Sequence, residues 1–129
     1  MAGISDLASL LASLQPELHG AAYGFGLIAS GRTLPEAFAQ IVEDAGTTVI
    51  APVVALQAAG IAVDAQWARI SLHVHSDLAA VGLTAAIATA LSARGISANV
   101  VAGYFHDHFF VQWDRRDAAM AVLADLSGA

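Results

Sequence analysis

With 129 residues the chain has room for one compact domain of ordinary size or for two intimately packed half-modules. Its formal net charge is -6, with Arg32, Arg69, Arg94, Arg115 and Arg116 as fixed cations and no lysine, so neither the basic footprint of a nucleic-acid binder nor a polybasic membrane anchor can be assembled. The absence of cysteine excludes disulfides and thiolate metal sites and fits a cytoplasmic location.

In chain order, Ser5 to Leu14 reads as a short amphipathic helix, with Ser5 or Asp6 at its cap and Pro16 stopping it. Ala22 to Ile28 reads as a strand. Its Gly24 and Gly26 share one face, which implies that something packs closely there. Ser30-Gly31 is a turn, and Leu34 to Val42 is either a short helix or an ordered loop. Glu43-Asp44 reads as a solvated helix end. Thr47 to Ala51 is the next strand, and Pro52 suits the first turn of a helix that runs to Ala59 and closes at Gly60.

The second half is punctuated more clearly. Ile70, Leu72 and Val74 alternate with Ser71, His73 and His75, the period of a strand with one buried face. Ser76-Asp77 supplies capping chemistry for the turn that follows. From Val81 to Arg94 the pattern turns helical, with Val81, Ala85, Ala88 and Leu91 on one stripe and Arg94-Gly95 as the stop. Ser97 to Gly103 and His108 to Trp113 read as strands, and Arg115 to Leu126 as a last helix on which Asp114, Arg115, Arg116 and Asp117 are ordinary surface charges. Strand, helix, strand, strand, helix buries its surface only as a two-layer α+β arrangement, helices on one face of an antiparallel sheet. Too few residues follow Leu126 for a closing strand, so a strand of the first half is expected to complete the second sheet. The halves, 1–66 and 67–129, are therefore interdependent.

The chain is 57% hydrophobic, yet its longest weakly polar run, Val49 to Val63, is broken by Pro52, Gln57 and Gly60. It falls short of the roughly 18 apolar residues that a spanning helix needs, so no membrane association is expected. The opening MAGISDLASLL carries Asp6 and no Arg or Lys, so no secretory signal is expected either. Apolar surface on so small a chain is expected to be hidden in a homodimer.

Candidate chemistry is sparse. His73 with His75, and His106 with His108, are strand pairs at i and i+2 that project from one face, so each pair offers two imidazoles to a metal such as zinc. The alternative is two ordinary polar strand faces, and no HExxH or carboxylate-rich spacing supports a catalytic metal. Nucleophile elbows and phosphate-binding glycine loops are missing: Ser76 is better placed as a cap, and Gly24-Phe25-Gly26 lacks a third glycine. A binding site is left rather than a reaction centre. The expected helix start at Val81, Gly82, Leu83 and Thr84 offers unpaired backbone N–H groups and the positive end of a dipole, a fitting seat for an α-carboxylate. Ser76 and Thr84 add hydroxyls, and Gly82 lets a ligand approach the backbone. Asp107 is either the counter-charge for an amino or guanidinium group or a turn aspartate bonded to its own backbone. Tyr104 and His106 either line the same pocket or flank the turn.

The run HVHSDLAAVGLTAAIATALSARGISANVVAGYFHDHFFV resembles the ACT fold, and most closely bacterial ACT-domain proteins related to eukaryotic cytosolic arginine sensors. The resemblance is carried by Ser76 at the strand end, Val81-Gly82-Leu83-Thr84 opening the helix, Gly95-Ile96 before the second strand, and Asp107-His108 entering the third. It is strongest over Trp67 to Ala129 and weaker over Met1 to Gln66. One departure is that Leu78-Ala79-Ala80 stands where many metabolic ACT domains carry a Pro-Gly pair. The resemblance implies a ferredoxin-like ACT fold in two ACT-like halves, and a non-enzymatic regulatory protein without cofactor that binds a free amino acid or similar small molecule. It also implies ligand contact at Asp107. A metal-binding module or metal-dependent enzyme, and a structural interaction module without ligand, are the competing expectations.

Overall fold

The computed structural model describes residues 6–74 and 81–128. In chain order its elements are α1 (Leu7–Ala12), β1 (Pro16–Ile28), β2 (Ala39–Glu43), β3 (Gly46–Pro52), α2 (Val53–Ala58), β4 (Trp67–Leu72), α3 (Leu83–Ser92), β5 (Asn99–Ala102), β6 (Asp107–Gln112) and α4 (Arg116–Leu126), with a 3-10 turn at Trp113–Arg115 leading into α4. They gather into two compact units, one of Met1–His19 with Ala68–Ala129 and one of Gly20–Trp67. Among the described residues no helix is long and apolar enough to cross a membrane.

In the first unit Asp6 caps α1: its carboxylate accepts from the Ser9 backbone N–H at 3.0 Å and from the Ser9 hydroxyl at 2.9 Å, satisfying a donor that every helix start leaves open. The start of β1 lies beside β4, and the strand order runs β1-β4-β6-β5. β5 and β6 form an antiparallel hairpin with Val101 opposite His108. Alternate strand residues, Ile70 and Leu72 on β4 and Phe109 and Val111 on β6, join Leu83, Ile87 and Leu91 of α3 and Ala119, Val122 and Leu123 of α4 in one core. The helices therefore cover one face of the sheet, and each fully buried Leu, Ile or Phe contributes about 1.5–3 kcal/mol. A strand that begins in the N-terminal residues thus joins the sheet of the C-terminal half. The architecture is α+β and ferredoxin-like.

α3 ends where Arg94-Gly95 forecast. Gly95, at φ 69, donates to Ser92 O and Ile96 N donates to Leu91 O, so the last carbonyls are capped through a left-handed glycine. Its inward stripe differs from the expected one. Leu83, Ile87 and Leu91 are buried, whereas Val81 is 84% exposed and Ala85 is also exposed. Leu83 and Ile87 bury more apolar area than alanines do, and that area sets the rotation of the helix.

In the second unit the order is β2-β3-β1, antiparallel throughout, with Phe25 opposite Ile50 and Ile41 opposite Thr48. α2 lies over the glycine face of β1. A Cβ on Gly24 would stand 2.9 Å from Leu56 Cδ1, and one on Gly26 only 2.5 Å from Ile61 Cγ2. The close approach expected from the two glycines is therefore real. Gly60, at φ 72, closes α2 with the same paired bonds that close α3.

Two local expectations fail here. The segment ending at Val42 was expected as a helix or loop, but Ala39–Glu43 is strand β2. Phe38 N donates to Ile50 O at 2.7 Å at the entry to its pairing with β3, so a tertiary partner overrides weak local preference. Glu43, expected at a helix end, closes β2 and accepts a hydrogen bond from the Thr48 hydroxyl.

Candidate ligand site

Alternation on β4 sends Ile70 and Leu72 into the core and turns Arg69 and Ser71 to the opposite sheet face, with His73 following in the same phase. That face carries two rows of polar side chains. In one, His19 Nε2 and His108 Nδ1 each lie 2.8 Å from Ser71 Oγ. In the other, His73 Nε2 lies 2.6 Å from Glu17 Oε1, and the His73 and His106 rings meet edge to face at 5.4 Å. The pairings 19 with 71, 17 with 73, 71 with 108 and 73 with 106 run in opposite directions along neighbouring strands, which is antiparallel register. Ser71 is 3% exposed. Its single hydroxyl proton goes to one imidazole nitrogen, and its oxygen accepts from the other.

The electrostatics favour neutral rings in the first row. Burial, and then Arg69 and the neighbouring imidazoles, push His108 down to about 4. Burial followed by Arg69 also lowers His19. In the second row the hydrogen bond with His73, aided by His19, holds the exposed Glu17 carboxyl below its ordinary value.

The described members of the expected i, i+2 histidine pairs turn to different partners. His75 lies outside the described residues. His73 turns to Glu17 and His106, while His108 turns to Ser71. Among the described residues no group of three or more His, Cys, Asp or Glu is arranged to hold a metal ion. Glu17, His19, Arg69 and Ser71 were not foreseen as members of this cluster. The available signal was the alternation of Glu17, Leu18 and His19, masked because the strand was expected to begin at Ala22 and begins at Pro16.

Of the residues expected to bind a ligand, Ser76 lies outside the described ones. Gly82 is the N-cap of α3 at φ 98, and among the described residues no side chain caps the helix. The helix start is therefore left to backbone N–H groups and their dipole. Val81 and Thr84 are exposed, but the Leu83 side chain is only 4% exposed and belongs to the core, so Leu83 offers a ligand its backbone alone. Leu7 of α1 shields one side of Gly82, 3.3 Å from where a Cβ would stand.

Gly103 N donates to His106 O at 2.9 Å and closes the β5–β6 turn, leaving Tyr104 71% exposed with its ring edge-on to Phe105 at 4.8 Å. His106 is half-buried against His73. Asp107 opens β6 opposite Ala102. Burial raises its carboxyl pKa while His106 opposes the rise. Among the described residues nothing donates a hydrogen bond to its carboxylate. Because β6 runs antiparallel to β4, Asp107 stands at the sheet end where β4 finishes and the chain departs towards α3. No hydrogen bond among the described residues joins Asp107 to the start of α3.

The ACT domain family matches residues 62–125, and a second ACT domain match covers residues 2–68. No curated protein matches the chain. Among solved structures, a Vibrio cholerae protein of unknown function, described as a possible transport protein, is similar at 40% identity and TM-score 0.84, over 98% of this chain and 99% of that one. A protein of Agrobacterium tumefaciens is similar at 17% identity and TM-score 0.72, over 87% of each chain. The ligand-free regulatory subunit of aspartate kinase from Thermus thermophilus shares the fold at 12% identity and TM-score 0.60, over 89% of this chain and 98% of that one.

Proposed function

The chain belongs to the ACT-domain family, and from that premise we propose that it is a non-enzymatic regulatory protein that binds a free amino acid or a similar small molecule. The observation that supports this reading is the start of α3 at Gly82, an N-cap without a side chain, with the half-buried Asp107 carboxylate as the candidate counter-charge. Val81, Gly82, Leu83 and Thr84 seat an α-carboxylate through backbone N–H groups, with Ser76 and Thr84 adding hydroxyls. Asp107 takes the cationic end, flanked by Tyr104 and His106. Basic amino acids are the favoured guests. As sequence modules the two ACT-like halves are 1–66 and 67–129, and the protein works as a cytoplasmic homodimer.

A thermal-shift screen of the twenty amino acids tests the reading, because a ligand at about one hundred times its dissociation constant stabilises the folded state by roughly 2.7 kcal/mol. Asp107→Asn keeps the shape and removes the charge. A hydrogen bond to a charged group is worth roughly 1.5–3 kcal/mol, so affinity for a basic amino acid should drop by about one to two decades. Gly82→Val should abolish binding of every amino acid. If none of the twenty raises the melting temperature, the amino-acid assignment is wrong.

A further inference from the structure

A cavity of about 390 Å³ opens in the second unit, lined by Gly31, Arg32, Thr33, Gln40, Val42 and Thr47. Its origin is local. Residues 29–38 form no helix or strand, and of that segment Leu34 and Ala37 reach the core of this unit. Thr47 pairs with Val42 across β3 and β2 on the same face as Val49 and Gln40, and the irregular segment leaves that end of the sheet uncovered.

Three polar groups around the cavity have no hydrogen-bond partner among the described residues, two of them on the exposed Arg32 and Thr33. Arg32 is the sole cation between Gly20 and Trp67, against the acids Glu36, Glu43, Asp44 and Asp64. Even so, no carboxylate or carbonyl among the described residues accepts from its guanidinium. The Thr33 hydroxyl is likewise unbonded. Thr47 is only 4% exposed, and its hydroxyl has no hydrogen-bond partner among the described residues. The next positions on its face, Val49 and Ala51, are apolar, and an isosteric valine would suit a purely structural role there. As part of the cavity wall, the Thr47 hydroxyl is open to a ligand oxygen and can donate to it. Gln40 does not compete for the cavity's donors, since its amide bonds the backbone of Leu34 through both Oε1 and Nε2. Val42, 85% exposed, supplies the apolar side of the cavity rim.

We propose that this cavity is a binding site for a small aliphatic carboxylate, with the anion on Arg32 and the hydroxyls of Thr33 and Thr47 and the hydrocarbon against Val42. A planar guanidinium fork matches a carboxylate with two parallel bonds, and the hydroxyls donate to the same oxygens. The site shares no residue with the one at Gly82 and Asp107, and a ligand without an ammonium group is suited to it and not to that one.

Sodium butyrate, followed by residue-resolved amide NMR titration of the full chain, tests the proposal. Saturable shifts are expected at Gly31, Thr33 and Thr47 and not at Gly82 or Thr84. Arg32→Met should weaken butyrate binding by at least about tenfold, the loss of one charged hydrogen-bonded contact. Thr47→Val should weaken it severalfold while leaving the melting temperature equal to or above that of the native chain, a combination that a structural threonine would not give. The proposal is overturned if butyrate moves no amide around the cavity, if Thr47→Val leaves affinity unchanged, or if inorganic phosphate saturates the site at lower concentration than butyrate.

Discussion

The two units of this chain solve the same problem, covering one face of a sheet, with opposite materials. The unit of Met1–His19 and Ala68–Ala129 fills its core with large side chains from three helices and alternate strand positions, Phe109, Ile87 and Leu91 among them. The unit of Gly20–Trp67 has a smaller core cluster, Ile28, Leu34, Val49, Ala51 and Leu56, and draws α2 and the chain after it against bare glycines. In the first, stability rests on side-chain volume. In the second it rests on the absence of volume at Gly24 and Gly26, so the two should fail under opposite kinds of substitution.

The largest expected effect is in the first unit. Phe109→Ala empties a position that is 1% exposed, and urea denaturation should show a loss of about 3–5 kcal/mol. A loss below about 1 kcal/mol would break the comparison at its stronger end. Next comes Gly26→Ala, whose added Cβ meets Ile61 Cγ2 at 2.5 Å and should cost about 1–3 kcal/mol by overpacking. Pairing it with Ile61→Ala should recover part of that cost, because residues in contact are not additive. Strict additivity of the two changes would mean that the glycine is not there for close approach.

The smallest effect sharpens the contrast through pH. In the folded chain burial and Arg69 hold His108 at about 4 against an ordinary 6.5, so between those values the unfolded chain binds more protons. Stability is therefore whole above about pH 6.5 and is lost as the pH falls towards 4. His19, lowered for the same reasons, acts in the same direction. Arg69, His73 and His106 oppose a proton on His108, and the buried Ser71 hydroxyl can serve only one acceptor. His108→Asn, which keeps a polar atom near the position of Nδ1, should flatten the fall of the urea midpoint between pH 7 and 5. An equal slope in both proteins would remove His108 as its source.

Much of the first unit was legible before folding because its cues are local. Asp6 reads as a cap, Gly95 as a stop, and the alternation from Ile70 as a strand with one face inward, since each depends on residues a few positions apart. Strand β2 was not legible. Its residues, Ala39 to Glu43, have weak preferences of their own and become a strand through pairing with β3. The phase of α3 was misread because counting apolar positions gave alanine the same weight as leucine. At the candidate ligand site, the glycine at the helix start and the aspartate at the strand start were readable as chemistry. The geometry around them was not.

The sequence by itself determined the kind of fold, through strand and helix periods and their terminators, and showed that the chain carries no dense positive charge. Only the tertiary structure decided which side chains meet on the sheet. His19 lies 52 positions from Ser71, and Ser71 lies 37 from His108. Strand order and register alone bring them to one row, and a slip of a single residue would turn the pairing side chain of the slipped strand to the other face. Periodicity is a property of neighbours along the chain, whereas a hydrogen bond between three strands depends on long-range pairing.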